Sequence, residues 1–444
     1  MSAGGKLVEQ ENSKNIQGAH AVLVLTNAKV FDGRKMLPEK CSITLDGNRI
    51  LSMVPCSGSE GQSTKAGVEK VIDVNGMTVM PGLITSHLHP DFYKFSIAQG
   101  FAGDQLGKEL PPGVLMAIGV RTCRVLLESG FTGYVGAACG HDIDAQLKIA
   151  IAQNIVPGPR IRACSHHIAT TGDFNNSPKW WQQFATPGTD LCADGPDELR
   201  KLVREEIRRG AETIKIFTSS GRGYPSKTVR NMSRDEIQAV VNAAHERGAK
   251  VRAHVCDTAM ILECLELGVD IIDHGDGIDE QCIDVMAKAG TFWVPSLMYP
   301  KVLLDLNMGD PEGEMQALLN HVRRILPKAQ KAGVRILVGD DYSGVFRDLI
   351  EDDPLDHQVG CYGREFSYYG AIEGLSAADV LSWGTKNAGE LLADAPTKVG
   401  VIEPGAMADL IVIDGDPMVD LSLLARPQQA LKAVIRDGAI VIDR

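Results

Sequence analysis

The chain has none of the sequence marks of a metal ribbon, a nucleotide cradle or a membrane span. Its ten cysteines (41, 56, 123, 139, 164, 192, 256, 264, 282 and 361) include no Cys-x-x-Cys pair, which argues against a zinc ribbon or a thioredoxin-like redox site. A chain of 444 residues needs no disulfide framework, so the thiols are expected to be reduced, as in a cytoplasmic protein. No apolar run approaches the length of a membrane span. No Gly-x-Gly-x-x-Gly follows a strand-like run, which weighs against an open dinucleotide-binding sheet. Basic residues are outnumbered, 45 against 57, and the formal charge of -12 offers no phosphate-binding surface. Neither nucleic acid nor an anionic membrane is an expected partner. The first twenty residues lack the apolar core of a signal peptide and read as a flexible lead-in.

What is present is ordinary globular material, 44% hydrophobic and 23% charged. Between residues 21 and 80, short β-like runs are broken by Asp32-Gly33, Asp46-Gly47-Asn48 and Asn75-Gly76, which are turn signals. This segment reads as a small antiparallel unit. The same texture returns in 396–444, with runs at 409–414, 432–438 and 439–442. Two β segments around a long middle suggest one sandwich built from both ends. The middle, 81–395, alternates strand and helix through eight units, one helix being capped by Ser233 with Glu236 three residues on. The expected fold is therefore α/β, a (β/α)8 TIM barrel beside a small β-sandwich domain.

Active sites in such barrels sit at the C-terminal strand ends, and the polar residues fall there. An apolar run, 79–84, reads as a buried strand that leads into Thr85-Ser86-His87-Leu88-His89. Residues two apart on a strand share a face, so His87 and His89 can aim both imidazoles at one point. Lys215 lies between Ile214 and Ile216 in the fourth strand, where an unpaired ammonium is costly. His254 closes the fifth strand, His274 the sixth, and Asp340 and Asp341 the eighth.

Together with Ile214-Lys215-Ile216, Ala253-His254, Asp273-His274-Gly275, Gly339-Asp340-Asp341 and Gly405-Ala-Met-Ala-Asp-Leu-Ile-Val, this pattern resembles the amidohydrolase superfamily over nearly the whole chain. Val156-Pro-Gly-Pro-Arg-Ile and Lys215-Ile-Phe-Thr-Ser-Ser-Gly look like its prolidase-like, imidazolonepropionase-like and ochratoxin-hydrolysing subgroup. The resemblance implies two Zn²⁺ ions per chain, one on His87, His89 and Asp341 and one on His254 and His274, bridged by a carboxylated Lys215. A bridging hydroxide would attack an amide or carbamate carbon of a small molecule, such as an N-acyl amino acid, dipeptide or aryl amide. Strand alternation does not choose between Asp340 and Asp341. The relatives read Gly-Thr-Asp here, which implies Asp341 as ligand and catalytic proton shuttle. The alternative activity is that of a mononuclear deaminase or cyclic-amide hydrolase; a scaffold that has lost its metals is a third.

The resemblance departs after the third strand. Peptidase-like relatives carry Thr-Gly-Gly-His, whereas this chain has Thr170-Thr171-Gly172-Asp173-Phe174, with His166 and His167 just upstream. His167 is taken as a substrate-binding substitute. Trp181, with Phe174, Trp180 and Phe184, either lines an apolar substrate pocket or forms a lid or oligomer contact. After the fourth strand, Arg222 and Tyr224, with Lys227 and Arg230, are candidates to hold a substrate carboxylate. A homo-oligomer acting on a small molecule in the cytoplasm is the expected setting.

Overall fold

The computed structural model describes residues 22–56, 68–92, 108, 110–172, 188–220, 229–305, 313–341 and 358–444. Five strands come first: β1 (Val22–Val30), β2 (Cys41–Asp46), β3 (Arg49–Pro55), β4 (Val68–Asp73) and β5 (Thr78–Pro81). The middle region contributes β6 (Leu83–Leu88), β7 (Phe131–Gly136), β8 (Arg160–Arg162), β9 (Cys164–Ala169) and β10 (Asp190–Cys192). It continues with β11 (Thr213–Phe217), β12 (Lys250–Val255), β13 (Ile271–His274), β14 (Phe292–Val294) and β15 (Arg335–Ile336). The last are β16 (Leu410–Ile413), β17 (Leu431–Arg436) and β18 (Ala439–Asp443).

The strands of both ends share one sheet, in the order β18-β17-β16-β5-β1-β2-β3, with β4 also on β1. Its centre is the antiparallel pairing of β5 with β16, where Met80 faces Ile411. This sheet has its own apolar core, including Leu25, Ile43, Val79, Ile402, Leu410 and Ile435. The first unit is not simply antiparallel as expected. β1 pairs antiparallel with β2 but parallel with both β4 and β5. Parallel partners need a connection longer than a hairpin, and β2 and β3 lie between β1 and both of its parallel partners in the chain.

The expected strand over 79–84 is two strands. β5 belongs to the terminal sheet and β6 to the middle one, with Gly82 between them. A Cβ at Gly82 would lie 2.1 Å from Thr132 Oγ1. The chain therefore changes sheets at a point too tight for any side chain.

In the middle region β6-β7-β8 form one parallel sheet and β10-β9-β11-β12-β13-β14-β15 another. Only Ala163 separates β8 from β9. At the other edge the Ser86 N–H donates to Val338 O at 2.8 Å and Asp341 N–H to His87 O at 3.3 Å. The two parallel sheets are thus linked by chain continuity at β8–β9 and by backbone hydrogen bonds between β6 and the segment after β15. β6, β7, β9, β11 and β13 are buried throughout, as strands covered on both faces must be. The expected eighth strand, 334–341, keeps only β15. At its end Asn387 Nδ2 donates to Ile336 O, and beyond it Leu337 N–H donates to Trp293 O (2.8 Å) and Gly339 N–H to the Glu365 carboxylate, so single backbone bonds and side chains replace a regular ladder.

Helix boundaries follow local chemistry. Ser233 and Glu236 form a reciprocal capping box on Arg234–His245, and Asp257 and Asp279 cap Thr258–Glu266 and Glu280–Ala289. Pro196 and Asp197 open Pro196–Arg209, which ends on Arg208, Arg209 and the left-handed Gly210.

Asp144, in the first turn of Ile143–Ala152, is fully buried and accepts from Tyr134 Oη (2.8 Å) and Cys164 N–H (3.1 Å). Burial outweighs both bonds and pushes its carboxyl up to about 7. Between the ordinary carboxylate range and that value the folded state holds the proton more tightly than the unfolded state. Stability contributed by the protonated form is therefore lost as pH rises through this window, by up to about 4 kcal/mol. Denaturant midpoints from pH 4 to 8 are expected to show this slope in the wild type and a flatter one in Asp144→Asn; equal slopes would contradict the assignment.

Candidate metal centre

Five imidazoles converge at the C-terminal ends of the parallel strands. Ring centroids lie 5.3 Å apart for His87 and His89, 5.2 Å for His87 and His274, 4.6 Å for His254 and His274, and 5.5 Å for His89 and His167. All five residues are buried. His87 comes from β6 and His89 from the residue just after it, His167 from β9, His254 from β12 and His274 from the end of β13.

His274 and Asp341 reach this centre through backbone that non-glycine residues seldom adopt, with φ of 66° and 58°. On β13 the carboxylate of Asp273 already faces the interior, so regular alternation would turn His274 away. The left-handed turn at His274 lets consecutive side chains both face inward. Gly275 follows at φ 63°, where a Cβ would lie 2.5 Å from Ile278 and 2.9 Å from Trp293 Nε1. The Trp293 indole N–H donates to His274 O at 2.8 Å and holds the turn. Asp341 likewise stands beyond the strand end, so alternation does not govern its direction.

Asp341 Oδ1 lies 3.3 Å from both His87 Nε2 and His89 Nε2. His89 Nδ1 is 2.9 Å from Ala138 O, which can only accept; the ring therefore carries its hydrogen on Nδ1 and turns the Nε2 lone pair toward the carboxylate. Two acceptors face each other across a gap that only a cation or proton satisfies. Burial lowers the pKa of His89, against the proton. These three residues group as ligands, their donor atoms lying within 4.8 Å of one another. A metal ion fits this donor set of two imidazoles and one carboxylate. Burial pushes the Asp341 carboxyl up, but His87, His89 and His274 more than offset it and hold it well below the usual range. Asp340 is fully buried and stands outside the ligand group.

Beneath the histidines lies a buried ionic cluster. Lys215 Nζ is 2.5 Å from Asp273 Oδ2. Arg252, on the strand that carries His254, approaches Asp273 through Nη2 (2.6 Å) and Nε (3.0 Å). The guanidinium also donates to Ser86 O (3.0 Å) and Gly136 O (2.5 Å) and lies 3.3 Å from His87 Nδ1. Lys215, Arg252 and Asp273 have at most 1% exposure. Burial works against the Asp273 charge, yet Arg252 and Lys215 hold its carboxyl well below the usual range. For Lys215 burial is the larger influence and lowers its pKa, with Asp273 opposing.

A family model described as the amidohydrolase family matches residues 78–441, from β5 of the terminal sheet through this centre and into β18. The chain belongs to the amidohydrolase family. It is a hydrolytic enzyme of a metal-dependent family. It is 24% identical over 403 residues to an ochratoxinase of Aspergillus niger, covering 84% of this chain and 77% of that protein. A 5-methylthioadenosine/S-adenosylhomocysteine deaminase of Natronomonas pharaonis is 27% identical over 412 residues, 86% and 85% of the two chains. Among solved structures, a Xaa-Pro dipeptidase with bound methionine superposes at a TM-score of 0.79 with 26% identity, covering 96% of this chain and all of that one.

In this amidohydrolase the six expected ligands do lie together, around the two groupings just described. His167 joins them: its Nδ1 is 3.1 Å from Asp190 Oδ1 and its ring packs 4.8 Å from Phe217. Burial holds its pKa well below the ordinary value, which keeps the ring neutral. Trp181, Arg222 and Tyr224 lie outside the described residues, as do Phe174, Trp180, Phe184 and Lys227. Arg230 is turned elsewhere, onto Glu263 at 2.5 Å and Met232 O. His166 belongs to another group, with Asp142 and Glu206. Its Nε2 accepts from His141 N–H (3.1 Å) and its Nδ1 meets Glu206 (2.8 Å). That tautomer spends both nitrogens, and Arg209 lies 3.5 Å from Glu206 and 3.9 Å from Asp142, so this group is a structural clamp.

Sequence reasoning missed Asp273 and Arg252. A signal existed: Arg252 sits between Val251 and Ala253, two residues before His254, as conspicuous in a buried strand as Lys215. Removing the shared carboxylate leaves two cations buried without it. Asp273→Ala is expected to lose about 3–5 kcal/mol of stability in urea unfolding; a loss under 1 kcal/mol would show that the cluster holds nothing.

Proposed function

We propose that this amidohydrolase hydrolyses a carbon–nitrogen bond of a small-molecule amide or carbamate at a binuclear zinc centre. In this reading its eight parallel strand units close as a (β/α)8 barrel beside a β sandwich built from both termini. The observation that carries the reading is a buried lysine on the floor of a four-histidine, one-aspartate cluster. His87, His89 and Asp341 would hold one ion, His254 and His274 the other, and a carboxylated Lys215 would link them. Similarity to an ochratoxinase and a Xaa-Pro dipeptidase supports an amide-type substrate.

Bound divalent ions lower the pKa of water toward neutrality and polarise a carbonyl. The residues do the rest. An ammonium has no lone pair, so Lys215 must be neutral to add to CO₂; its burial favours that form. Nitrogen–carbon bond formation then releases a proton and yields a carbamate. Asp273, freed of the ammonium, keeps Arg252 as its partner. Asp341, with a carboxylate held ionised and a side chain 19% exposed, is poised to take a proton from water and deliver it to the leaving nitrogen. Asp340, with no exposure, has no such route. His167 presents a neutral ring beside His89 as a substrate contact.

Metal-replete protein is expected to contain close to two ions per chain by elemental analysis, and Lys215→Ala to lose both activity and metal. A single ion in the wild type would favour a mononuclear, deaminase-like enzyme, and an active alanine variant would remove the lysine from the centre. Asp341→Asn should lower kcat by ~10² to 10⁴-fold while folding normally. Asp340→Asn should lose far less, and the reverse order would reassign the proton shuttle.

A further inference from the structure

The sheet face that carries Lys215 bears a row of polar side chains across four parallel strands. Asp190 on β10 lies opposite His167 on β9, His167 opposite Lys215 on β11, and Lys215 opposite Arg252 on β12. Residues paired in register share a face of the sheet. Asp190 and His167 therefore stand on the interior side with Lys215, and the proposed reaction gives Asp190 no task. Its side chain is 5% exposed and that of His167 6%. The His167 backbone N–H donates to Thr189 O at 2.8 Å, fastening β10 to β9 beside the pair.

The carboxylate settles which ring nitrogen carries the hydrogen. Asp190 Oδ1 lies 3.1 Å from His167 Nδ1 and, as a carboxylate oxygen, can only accept. Nδ1 is then the donor, and Nε2 of the neutral ring keeps its lone pair. The two nitrogens point in widely different directions, so a ring tethered to β10 through Nδ1 turns Nε2 away from β10, toward the histidines. The ring meets His89 and Phe217 edge to face, with centroids at 5.5 and 4.8 Å. Among the described residues no hydrogen bond reaches Nε2. His167 also stands outside the ligand group of His87, His89 and Asp341, so its lone pair is left for something other than that ion.

We infer that Asp190 is a positioning residue that holds His167 as a fixed hydrogen-bond acceptor, and that the substrate meets Nε2 with an O–H or N–H donor near the scissile bond; this rests on the amide-hydrolase reading. The ring lies against His89, a proposed ligand, so the donor sits on an atom close to the carbon under attack. A carboxylate behind the imidazole strengthens it as an acceptor. A substrate carboxylate is excluded from the same place, because two acceptors would face each other with no hydrogen between them. The amides that fit are those with a hydroxyl or N–H beside the scissile carbonyl.

Hydroxamates test this by binding rather than turnover, because the hydroxamate head chelates zinc whatever else the molecule carries. Zinc-loaded protein is titrated calorimetrically with glycolohydroxamate and β-hydroxypropionohydroxamate, each against its methyl ether, which has lost the donor. The expected result is binding of at least one hydroxy compound about tenfold or more tighter than its ether. His167→Phe should bind both members of that pair alike, near the affinity of the wild type for the ether. In Asp190→Asn the amide can donate to Nδ1 and move the ring hydrogen to Nε2, so the preference should vanish or pass to the ether. Equal binding within both pairs by the wild type would overturn the acceptor and leave the amide-hydrolase reading standing. A preference that survives in either variant would also overturn it. Zinc-loaded protein that binds no hydroxamate would overturn both. NMR of isotope-labelled histidines adds a check that needs neither metal nor ligand. The His167 signals, identified by their loss in His167→Phe, should show hydrogen on Nδ1 and none on Nε2, and the opposite tautomer would overturn the proposal.

Discussion

One buried carboxylate, that of Asp273, carries the charge balance of the whole centre. Lys215 and Arg252 both lie against it, and His87 Nδ1 is 3.3 Å from its Oδ1. Taking such charges out of water costs several kcal/mol each, and only close, multiply bonded geometry offsets it. Arg252 meets that condition by spreading its donors over Asp273 and the carbonyls of Ser86 and Gly136. In doing so it ties β12 to β7 and to β6 and β13, two of the other strands that lead to the histidines. The same contacts that make the cluster tolerable therefore position the ligands above it.

The second constraint is conformational. His274 and Asp341 occupy left-handed backbone, a cost on the order of 1–3 kcal/mol at each residue. Each is held by neighbours: His274 O accepts from the Trp293 indole, and Asp341 N–H donates to His87 O. This strain lets two adjacent residues, Asp273 and His274, serve the interior together. It also frees Asp341 from the strand alternation that would set it against Asp340. Charge below and strain above thus converge on one small volume.

Within this frame the two proposed metal positions are built from different materials. The one nearer β6 takes its anion from Asp341, at the lip of the site. The other takes its imidazoles from β12 and β13. Between them stands Lys215, whose side chain the Asp273 carboxylate holds when it bears no CO₂. In the proposed reading, carboxylation of Lys215 would be an exchange of partners at a site whose rings and backbone are already in place.

Much of this was legible in the residue order. Turn pairs, apolar runs and the Ser233–Glu236 box located most strands and helices, because each depends on neighbours a few residues away. The spacing of His87 and His89, and the isolation of Lys215 between isoleucines, marked the site for the same local reason. Residue order alone did not show that Gly82 divides one apolar run between two sheets, since the clash with Thr132 exists only once β6 and β7 pair. Nor did it show that Asp273 serves Lys215, Arg252 and His87 together, because those residues come from four strands that meet only in the folded chain. The choice of Asp341 over Asp340 by geometry likewise came from tertiary structure. Sequence sets which side chains share a strand face; packing between distant strands decides which charges become neighbours and where the backbone must turn against its preference.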